Sequence, residues 1–322
     1  MSSNAPINVA VGVVRDSCGK ILIAKRPLDT HLGGLWEFPG GKVEWGESNT
    51  EALARELDEE LGIRILSSRH FLEVSHQYAS MKVRLHIYEV NRFEGDPIGR
   101  QNQLIRWVSP AQIKSFSFPE ANYPIVTRLA LGELYAIIDE PLLKGPKILE
   151  QLQTLIAKGV RLIRLRAPLA GSPFEKEQVE GFIRLCRAHE VDLLLTGPLE
   201  LVRAYGASGI HLTSAQLMAL KRRPLAADFW VGASCHKMDE VQHSQAIGLD
   251  FVVLSPVKET KTHPNTKPLG WKAFKKMAES AIIPVFALGG LSPSDLAEAK
   301  ENGAQGIAAI RGLCQQSFDG AT

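Results

Sequence analysis

The amino-acid sequence predicts a mixed α/β protein of two domains, the second of which is an eight-stranded (β/α)8 barrel. The chain has 322 residues, about twice the length of an average domain. Short apolar segments alternate with stretches long enough to form helices along the whole chain. From about residue 134 onward eight such alternations follow one another regularly, which is typical of a (β/α)8 barrel.

In the first 130 residues the predicted strands and helices alternate irregularly. Turn residues at 16–19 separate the first two apolar runs and predict a β-hairpin. Apolar residues recur at helical spacing in segment 49–61 and predict a helix. Residues 118–124 are predicted to form a loop before a closing helix near Ile125. The predicted strands of this part are 7–14, 21–24, 70–74, 83–90 and 105–108.

The second part is predicted to contain eight strands, each followed by room for a helix. An open doubly wound sheet is the alternative, but eight strands are many for that fold. The boundary is expected at 129–134, which divides the chain into domains 1–130 and 134–322. The predicted strands are 135–139, 162–167, 192–196, 209–212, 230–235, 251–257, 284–290 and 306–311.

Composition and charge exclude several classes of protein. Apolar residues make up 45% of the chain and charged residues 22%, as in folded soluble domains, which argues against disordered or fibrous proteins. The formal net charge of +2 is too small to predict binding to nucleic acid or to an anionic membrane.

The same sequence argues against membrane insertion and secretion. The longest uncharged apolar stretch, 280–294, is 15 residues long and is interrupted by glycine and proline. No basic residue precedes Arg15, so no secretory signal is expected. The four cysteines form no CxxC pair and predict reduced thiols, and hence a cytoplasmic location.

Segment 47–60 contains six acidic residues and one basic residue, Arg55. Glu56, Glu59 and Glu60 lie three and four positions apart, so a helix places them on one face, where like charges repel. Such a face is either solvated or binds a hard cation, which prefers carboxylate oxygen. Glycines at 40, 41 and 46, together with Arg55, favour the cation site.

The spacing of these residues resembles the Nudix box over positions 41–63. The matching residues are Gly41, Glu47, Arg55, Glu56, Leu57, Glu59, Glu60, Gly62 and Ile63. Residues 7–129 resemble Nudix hydrolases, and among them the MutT-type 8-oxo-dGTP diphosphatases. The resemblance implies an α/β/α sandwich that cleaves nucleoside triphosphates to monophosphate and pyrophosphate. It also implies a role in sanitation of the nucleotide pool, and thus in DNA repair.

The resemblance also implies roles for individual residues. Mg²⁺, for which Mn²⁺ is a possible substitute, would be held by Glu56, Glu59, Glu60 and the Gly40 carbonyl. The implied catalytic residues are Glu56, Arg55 and Glu59, with Glu56 as the acceptor of a proton from water. Those expected to bind the substrate are Arg26, Glu37, Phe38, Lys42, Tyr78 and Asn122.

Within the substrate set, the roles differ. Lys42 and Arg26 are expected to pair with phosphate, and Asn122 to read the purine edge with Tyr78 beside the base. Two residues depart from the MutT pattern: Gln101 replaces a metal-binding Glu and Met81 replaces an Arg near the nucleotide.

Residues 134–313 resemble thiamine-phosphate synthase and the related TenI proteins. The resemblance depends on Arg164-Leu165-Arg166 and on segments 206–212, 232–236, 255–257, 268–270 and 287–291. Several synthase residues are replaced, so synthase activity is expected to be lost. The replacements are Pro168 for Lys, Thr196-Gly197 for Asn-Asp, Gln216 for Asp and His263 for Lys.

Other roles remain open for the barrel. It is expected to bind a phosphorylated ligand, to act as a ligand sensor or to serve as a scaffold. The alternative is a bifunctional enzyme with active synthase or with thiazole tautomerase chemistry at His236. The oligomeric state stays open, and no direct binding to nucleic acid or membrane is expected. The candidate ligand-binding residues are Arg166, His236, Thr260, Thr262, Gly289 and Gly290.

Overall fold

A computed structural model describes residues 5–79, 81–100, 103–139, 146–166, 176–260 and 267–313, without the side chains of 146 and 147. The chain divides into two compact units, 1–130 and 131–322. In the described residues, no helix combines the length and apolar character needed to cross a membrane.

The first unit contains a four-stranded mixed sheet and a three-stranded antiparallel sheet. Their strand orders are β4-β1-β6-β5 and β3-β2-β7. The strands are β1 (Ile7–Val14), β2 (Ile21–Lys25), β3 (Trp36–Glu37), β4 (Gly40–Lys42), β5 (Arg64–Gln77), β6 (Lys82–Glu94) and β7 (Ile105–Val108). The α-helices are α1 (Asn49–Leu61) and α2 (Tyr123–Leu131), and short 3-10 turns lie at Pro110–Ser115 and Glu120–Asn122.

The two helices pack on opposite faces of β1, because neighbouring side chains of a strand point to opposite sides. Ala10 and Val14 belong to the cluster that contains the buried side of α1. Val11 and Val13 belong to the cluster that contains Ile125 of α2. This arrangement confirms the predicted α/β/α sandwich.

The predicted elements of this unit are present, with different ends for several strands. Helix α1 spans the predicted 49–61, whereas β5 and β6 extend well beyond the predicted 70–74 and 83–90. The predicted loop 118–124 contains the short turn at Glu120–Asn122 and the start of α2.

The predicted hairpin between β1 and β2 is wrong. Strand β1 pairs with β4 along one edge and with β6 along the other, so neither edge is free for β2. Only an isolated bridge between Arg15 and Ile21 remains at the turn, and β2 joins the other sheet.

In the second unit eight parallel strands close into a barrel in chain order, which confirms the predicted (β/α)8 fold and rejects the open sheet. The strands are β8 (Leu134–Asp139), β9 (Leu162–Arg166), β10 (Asp192–Leu195), β11 (Gly209–Leu212), β12 (Trp230–Cys235), β13 (Phe251–Leu254), β14 (Val285–Leu288) and β15 (Gly306–Ala309). The intervening helices are α3 (Pro146–Ala157), α4 (Lys176–Ala188), α5 (Glu200–Tyr205), α6 (Ser214–Ala219), α7 (Met238–Ala246), α8 (Gly270–Glu279) and α9 (Leu296–Glu301).

Aromatic rings contribute to the buried packing of this barrel. The rings of Tyr135, Phe251 and Phe286 are fully buried and lie 5.4 to 5.7 Å apart. The two edge-to-face contacts that Phe251 makes with the other rings add to the free energy gained by burial.

Candidate active sites

Helix α1 carries acidic side chains outside its buried apolar face. The Ser48 hydroxyl accepts a hydrogen bond from the Glu51 main-chain N–H, and the Glu51 carboxylate accepts one from the Ser48 N–H. This capping box satisfies donors that the first helical turn leaves unpaired. Gly62, in the left-handed conformation, ends the helix. Local sequence therefore specifies both ends of the helix that carries the acids.

Arg55 links three acidic side chains beside this helix. Its Nη2 donates to Glu47 at 2.8 Å, and its Nη1 donates to Glu56 at 3.0 Å and to Glu59 at 3.5 Å. Nη2 also donates to the Lys42 carbonyl oxygen at 3.1 Å. The hydrogen bond with Glu47 is the main cause of the raised pKa of Arg55. The guanidinium thus holds Glu56 in one orientation.

Glu60 lies beside Gly40 and near two other carboxyl groups. Its Oε2 accepts a hydrogen bond from the Gly40 N–H at 3.1 Å. Burial, together with the charges of Glu37 and Glu56, raises the pKa of Glu60 to about 7, although the Gly40 hydrogen bond lowers it. Crowded carboxylates of this kind are stabilised by a nearby cation.

The residues of this region fit a divalent metal ion whose coordination other ligands complete. A methyl group at Gly41 would overlap the Glu56 carboxyl group, so only glycine lets β4 approach the acidic helix this closely. Among the described residues, no three His, Cys, Asp or Glu side chains form a group that could hold a metal ion. Mg²⁺ typically takes one or two carboxylates and completes its shell with waters and substrate phosphates. Glu56 and Glu60 are suitable donors for that arrangement.

All six predicted substrate-binding residues line one cavity of about 230 Å³ in the first unit, together with Gly40 and Gly41. Apolar side chains of β1 and β6 form much of the remaining wall. The six residues are Arg26, Glu37, Phe38, Lys42, Tyr78 and Asn122.

Arg26 is paired inside this cavity. Its Nη1 donates to Glu37, and its Nε donates to the His31 carbonyl oxygen at 3.0 Å. Burial raises the pKa of Glu37, while the neighbouring Arg26 charge opposes that shift. A phosphate that contacts Arg26 would therefore share it with Glu37.

Phe38 and Tyr78 are the two aromatic residues among the predicted substrate-binding residues of this cavity. Phe38 is 3% exposed and stacks on Phe118 at 5.3 Å, so it belongs to the core as well as to the cavity wall. The Tyr78 hydroxyl accepts a hydrogen bond from the Ala121 N–H at 3.3 Å, which fixes the segment before Asn122. Within the part of the chain that the structure describes, the Asn122 side chain makes no hydrogen bond and is free to pair with a ligand.

Of the two residues that depart from the MutT pattern, Met81 lines this cavity and brings an uncharged side chain to it. Gln101 lies outside the described residues.

In the second unit a cavity of about 690 Å³ lies at the carboxyl ends of the barrel strands. Gly290 lines an adjoining cleft of about 250 Å³, which Gly289 and Thr260 share. Thr262 lies outside the described residues. The predicted residues that line the larger cavity are Arg166, His236, Thr260 and Gly289.

His236 has a defined hydrogen-bond partner in this cavity. Its Nδ1 lies 2.7 Å from the Ser255 carbonyl oxygen, which can only accept a hydrogen bond. Nδ1 therefore carries the hydrogen, and in the neutral ring Nε2 is an acceptor.

Comparison with protein families agrees with this geometry. Residues 10–128 match the model described as NUDIX domain, and residues 134–313 match the model described as thiamine monophosphate synthase. The chain belongs to both families. The first unit is a Nudix hydrolase, called the Nudix unit below, and the second is called the barrel unit.

Curated relatives resemble one unit each. An 8-oxo-dGTP diphosphatase of Escherichia coli (strain K12) is 35% identical over 123 residues, which are 38% of this chain and 95% of the relative. A CTP pyrophosphohydrolase of the same strain is 37% identical over 118 residues, 37% of this chain and 86% of the relative. A putative thiamine-phosphate synthase 2 of Aquifex aeolicus (strain VF5) is 31% identical over 182 residues, 56% of this chain and 97% of the relative. These Nudix relatives act on nucleoside triphosphates, and Nudix hydrolases generally use a divalent metal ion.

Sequence reasoning missed two carboxylates that support the barrel cavity. Glu240 accepts hydrogen bonds from the Ser214 hydroxyl and the His236 main-chain N–H, and so joins the ends of β11 and β12. Asp139 accepts a hydrogen bond from Nε of Arg166 at 2.9 Å. The position of Glu240 in the first turn of α7 is the sequence feature that could have indicated its role. No feature of the sequence indicates that Asp139 forms an ion pair with Arg166.

Proposed function

We propose that the Nudix unit, residues 1–130, is a Mg²⁺-dependent 8-oxo-dGTP diphosphatase that removes oxidised guanine nucleotides from the cytoplasmic pool. The observation that carries this proposal is the single cavity that six polar and aromatic side chains share with Gly40 and Gly41. Gly40 and Gly41 lie beside the carboxylates of α1. The cavity and the acidic helix therefore meet at β4.

In the proposed reaction water attacks a phosphorus atom of the triphosphate. The P–O bond to the departing pyrophosphate breaks, and the nucleoside monophosphate remains. Glu56 accepts the proton of the attacking water, and Arg55 keeps its carboxylate oriented through the 3.0 Å hydrogen bond. Lys42 pairs with phosphate oxygens at the cavity mouth.

Glu56, Glu59, Glu60 and the Gly40 carbonyl would hold Mg²⁺, which would neutralise phosphate charge and make the bound water more acidic. Within the chain, Arg55 restrains two of these carboxylates, Glu56 and Glu59.

Recognition of the base is assigned to Asn122 and Tyr78. The Asn122 amide has both a donor and an acceptor with which to read a purine edge. Tyr78 is held against the segment that carries Asn122 and offers its ring beside the base.

The proposal is tested by steady-state kinetics of the full chain with Mg²⁺ on 8-oxo-dGTP, dGTP, CTP, ADP-ribose and a dinucleoside polyphosphate. We expect the highest kcat/KM with 8-oxo-dGTP and loss of turnover in Glu56→Gln. Glu94→Gln is the matched control, because Glu94 pairs only with exposed Arg64 in the described structure. Equally slow hydrolysis of 8-oxo-dGTP and dGTP would refute the sanitation role.

We propose further that the barrel unit, residues 134–322, binds a phosphorylated ligand and has no synthase activity. The Gln216 side chain accepts a hydrogen bond from the Thr213 N–H and caps α6. The Thr196 hydroxyl accepts one from Arg164. Gly197 and Gln216, which stand where the synthase has aspartates, supply no carboxylate for metal-assisted departure of pyrophosphate.

This second proposal is tested by expressing the full chain in a strain that lacks thiamine-phosphate synthase. We expect no growth without added thiamine. Growth would instead support the bifunctional enzyme.

A further inference from the structure

Arg164 is a buried cation that lines the barrel cavity. It lies on β9, is 5% exposed, and donates from Nε to the Thr196 hydroxyl at 2.9 Å. Among the described residues this is its one hydrogen bond, which leaves the terminal nitrogens of the guanidinium without a protein acceptor. Burial lowers the pKa of Arg164 to about 10, so the group stays charged at neutral pH. A buried charge is unfavourable unless an opposite charge meets it.

The described cavity wall does not supply that opposite charge. Two arginines, one histidine and several hydroxyl residues line it, and no carboxylate does. Asp139, a carboxylate whose charge opposes the lowering of the Arg164 pKa, is hydrogen-bonded through both oxygens to Arg166. The Arg164 charge is therefore left for something that enters the cavity.

A hydrogen-bond chain from Tyr135 adds a second donor to the same cavity. The Tyr135 hydroxyl lies 2.9 Å from Nδ1 of His211, and Nε2 of His211 lies 3.0 Å from the Ser234 hydroxyl. Burial, and then the Arg164 charge, keep the pKa of His211 well below its ordinary value, so the ring is neutral.

The Arg164 charge favours one direction for this chain, because it stabilises negative charge on the phenol oxygen of Tyr135. In the tautomer of His211 that fits this influence, the Tyr135 hydroxyl donates to Nδ1. Nε2 then carries the hydrogen and donates to Ser234. The Ser234 hydroxyl hydrogen is free to donate into the cavity, which Ser234 lines.

We propose that Arg164 and Ser234 form a site for an oxyanion, a phosphate or a carboxylate group, that binds at the inner end of the barrel cavity without a metal ion. The inference builds on the proposed ligand-binding role of the barrel and adds a second anion site to the glycine-lined cleft at Gly289 and Gly290. Guanidinium and hydroxyl donors pair directly with such oxygens.

The test is binding of inorganic phosphate and of succinate to the full chain in EDTA, by equilibrium dialysis and by hydrogen–deuterium exchange. We expect at least one probe to bind and to protect segments 162–166 and 230–235. Arg164→Gln should weaken this binding about tenfold or more, since a hydrogen bond to a charged group contributes about 1.5–3 kcal/mol. Arg184→Gln, which removes an exposed arginine of α4, is the matched control and should bind like the parent protein.

Stability separates this role from a structural one. In buffer without oxyanions, Arg164→Gln should unfold at the same temperature as the parent or higher, because it removes a buried charge. A lower unfolding temperature with unchanged binding would make Arg164 structural and overturn the inference.

The segments that hydrogen–deuterium exchange shows to be protected distinguish the Arg164 site from the wider ligand-binding proposal. Protection confined to 287–291 and 306–312 would overturn the Arg164 site and leave the ligand-binding proposal standing. Absence of protection anywhere in the barrel of the parent protein would overturn both the Arg164 site and the ligand-binding proposal. This outcome is measured on the parent protein and does not depend on a variant that folds.

Discussion

Arg55 directs its guanidinium nitrogens to carboxylates on two sides. Nε and Nη2 face Glu47, and Nη1 faces Glu56 and Glu59. A planar fork can hold groups in several fixed directions, which the single ammonium of lysine cannot do. The orientation of Glu56 therefore depends on geometry as well as on charge.

The substitution Gly41→Ala tests whether nucleotide hydrolysis depends on the present position of the Glu56 carboxyl group. Gly41→Ala brings a methyl group into the position of the Glu56 carboxyl group, which must move, while the Gly41 backbone is not in a glycine-only conformation. We expect kcat for nucleotide hydrolysis to fall about 100-fold, with the unfolding free energy of the unit changed by no more than about 1 kcal/mol.

The control is Gly19→Ala, because a methyl group there meets nothing within 4 Å. Gly19 has φ +76°, so this control should lose about 1 kcal/mol of stability and keep its activity. Steady-state kinetics and urea unfolding of both variants make the comparison. Equal activities would show that Glu56 does not need its present position.

Asn122 tests recognition of the base. Asn122→Ala removes the amide proposed to pair with the purine edge, and we expect the preference for 8-oxo-dGTP over dGTP, measured as the ratio of kcat/KM, to fall about tenfold or more. Asn91→Ala, at an exposed position of β6, is the control and should keep the preference. An unchanged ratio in Asn122→Ala would move base recognition elsewhere in the cavity.

Glu89 connects three neighbouring strands of the Nudix sheet, because it lies on β6 and contacts Arg69 of β5 and Arg15, which follows β1. It lies on β6, is 5% exposed, and accepts hydrogen bonds from Arg15 at 2.6 Å and from Arg69 of β5 at 2.7 Å. Burial alone would raise the pKa of Glu89, but the hydrogen bonds from the two arginines outweigh it and lower the pKa.

A lowered pKa in the folded state gives stability that is present above the unfolded-state pKa and is lost as pH falls through the folded value. Glu89→Gln should therefore lower the unfolding free energy at pH 7, by about 1–2 kcal/mol, because the two arginines that lose their partner are partly exposed. The difference from the parent should shrink below about pH 4.5, the ordinary value for a glutamate. Urea unfolding at pH 7 and in that lower range measures this, and a constant difference would contradict it.

Helix α1 and the barrel strands could be predicted from the sequence because their signals are local. Helical spacing, a capping serine and a terminal glycine all lie within segment 48–62. The pairing of β2 could not be predicted in this way. It depends on which edges of β1 are taken by β4 and β6, and those partners are distant in sequence.

Prediction of the sites is likewise limited where the contacts join residues that are distant in sequence. The contact of Arg55 with Glu56 is local, because both residues lie on helix α1. The Arg26–Glu37 pair and the contact of Arg164 with Thr196 arise only when separate strands are brought together. A run of charged residues therefore reveals a site more readily than a single arginine on a buried strand.

At the scale of the molecule, each unit has its own hydrophobic core. The largest barrel cluster is built from residues between 134 and 313, and the Nudix clusters from residues between 7 and 130. Because burial of apolar surface is the main stabilising contribution, each unit is expected to unfold as a cooperative body of its own.

Phe251→Ala tests this independence. Phe251 is fully buried and its ring contacts those of Tyr135 and Phe286, so its loss should destabilise the barrel by about 3–5 kcal/mol. For a body of this size the barrel transition should fall by about 10 °C in calorimetry.

We expect the Nudix transition, and the temperature at which nucleotide hydrolysis is lost, to stay unchanged in that variant. Leu57→Ala, which removes a fully buried side chain of α1, is the reciprocal control and should shift only the Nudix transition. If either variant moved both transitions together, the two cores would be coupled, and a ligand in the barrel would then be able to change the stability of the hydrolase.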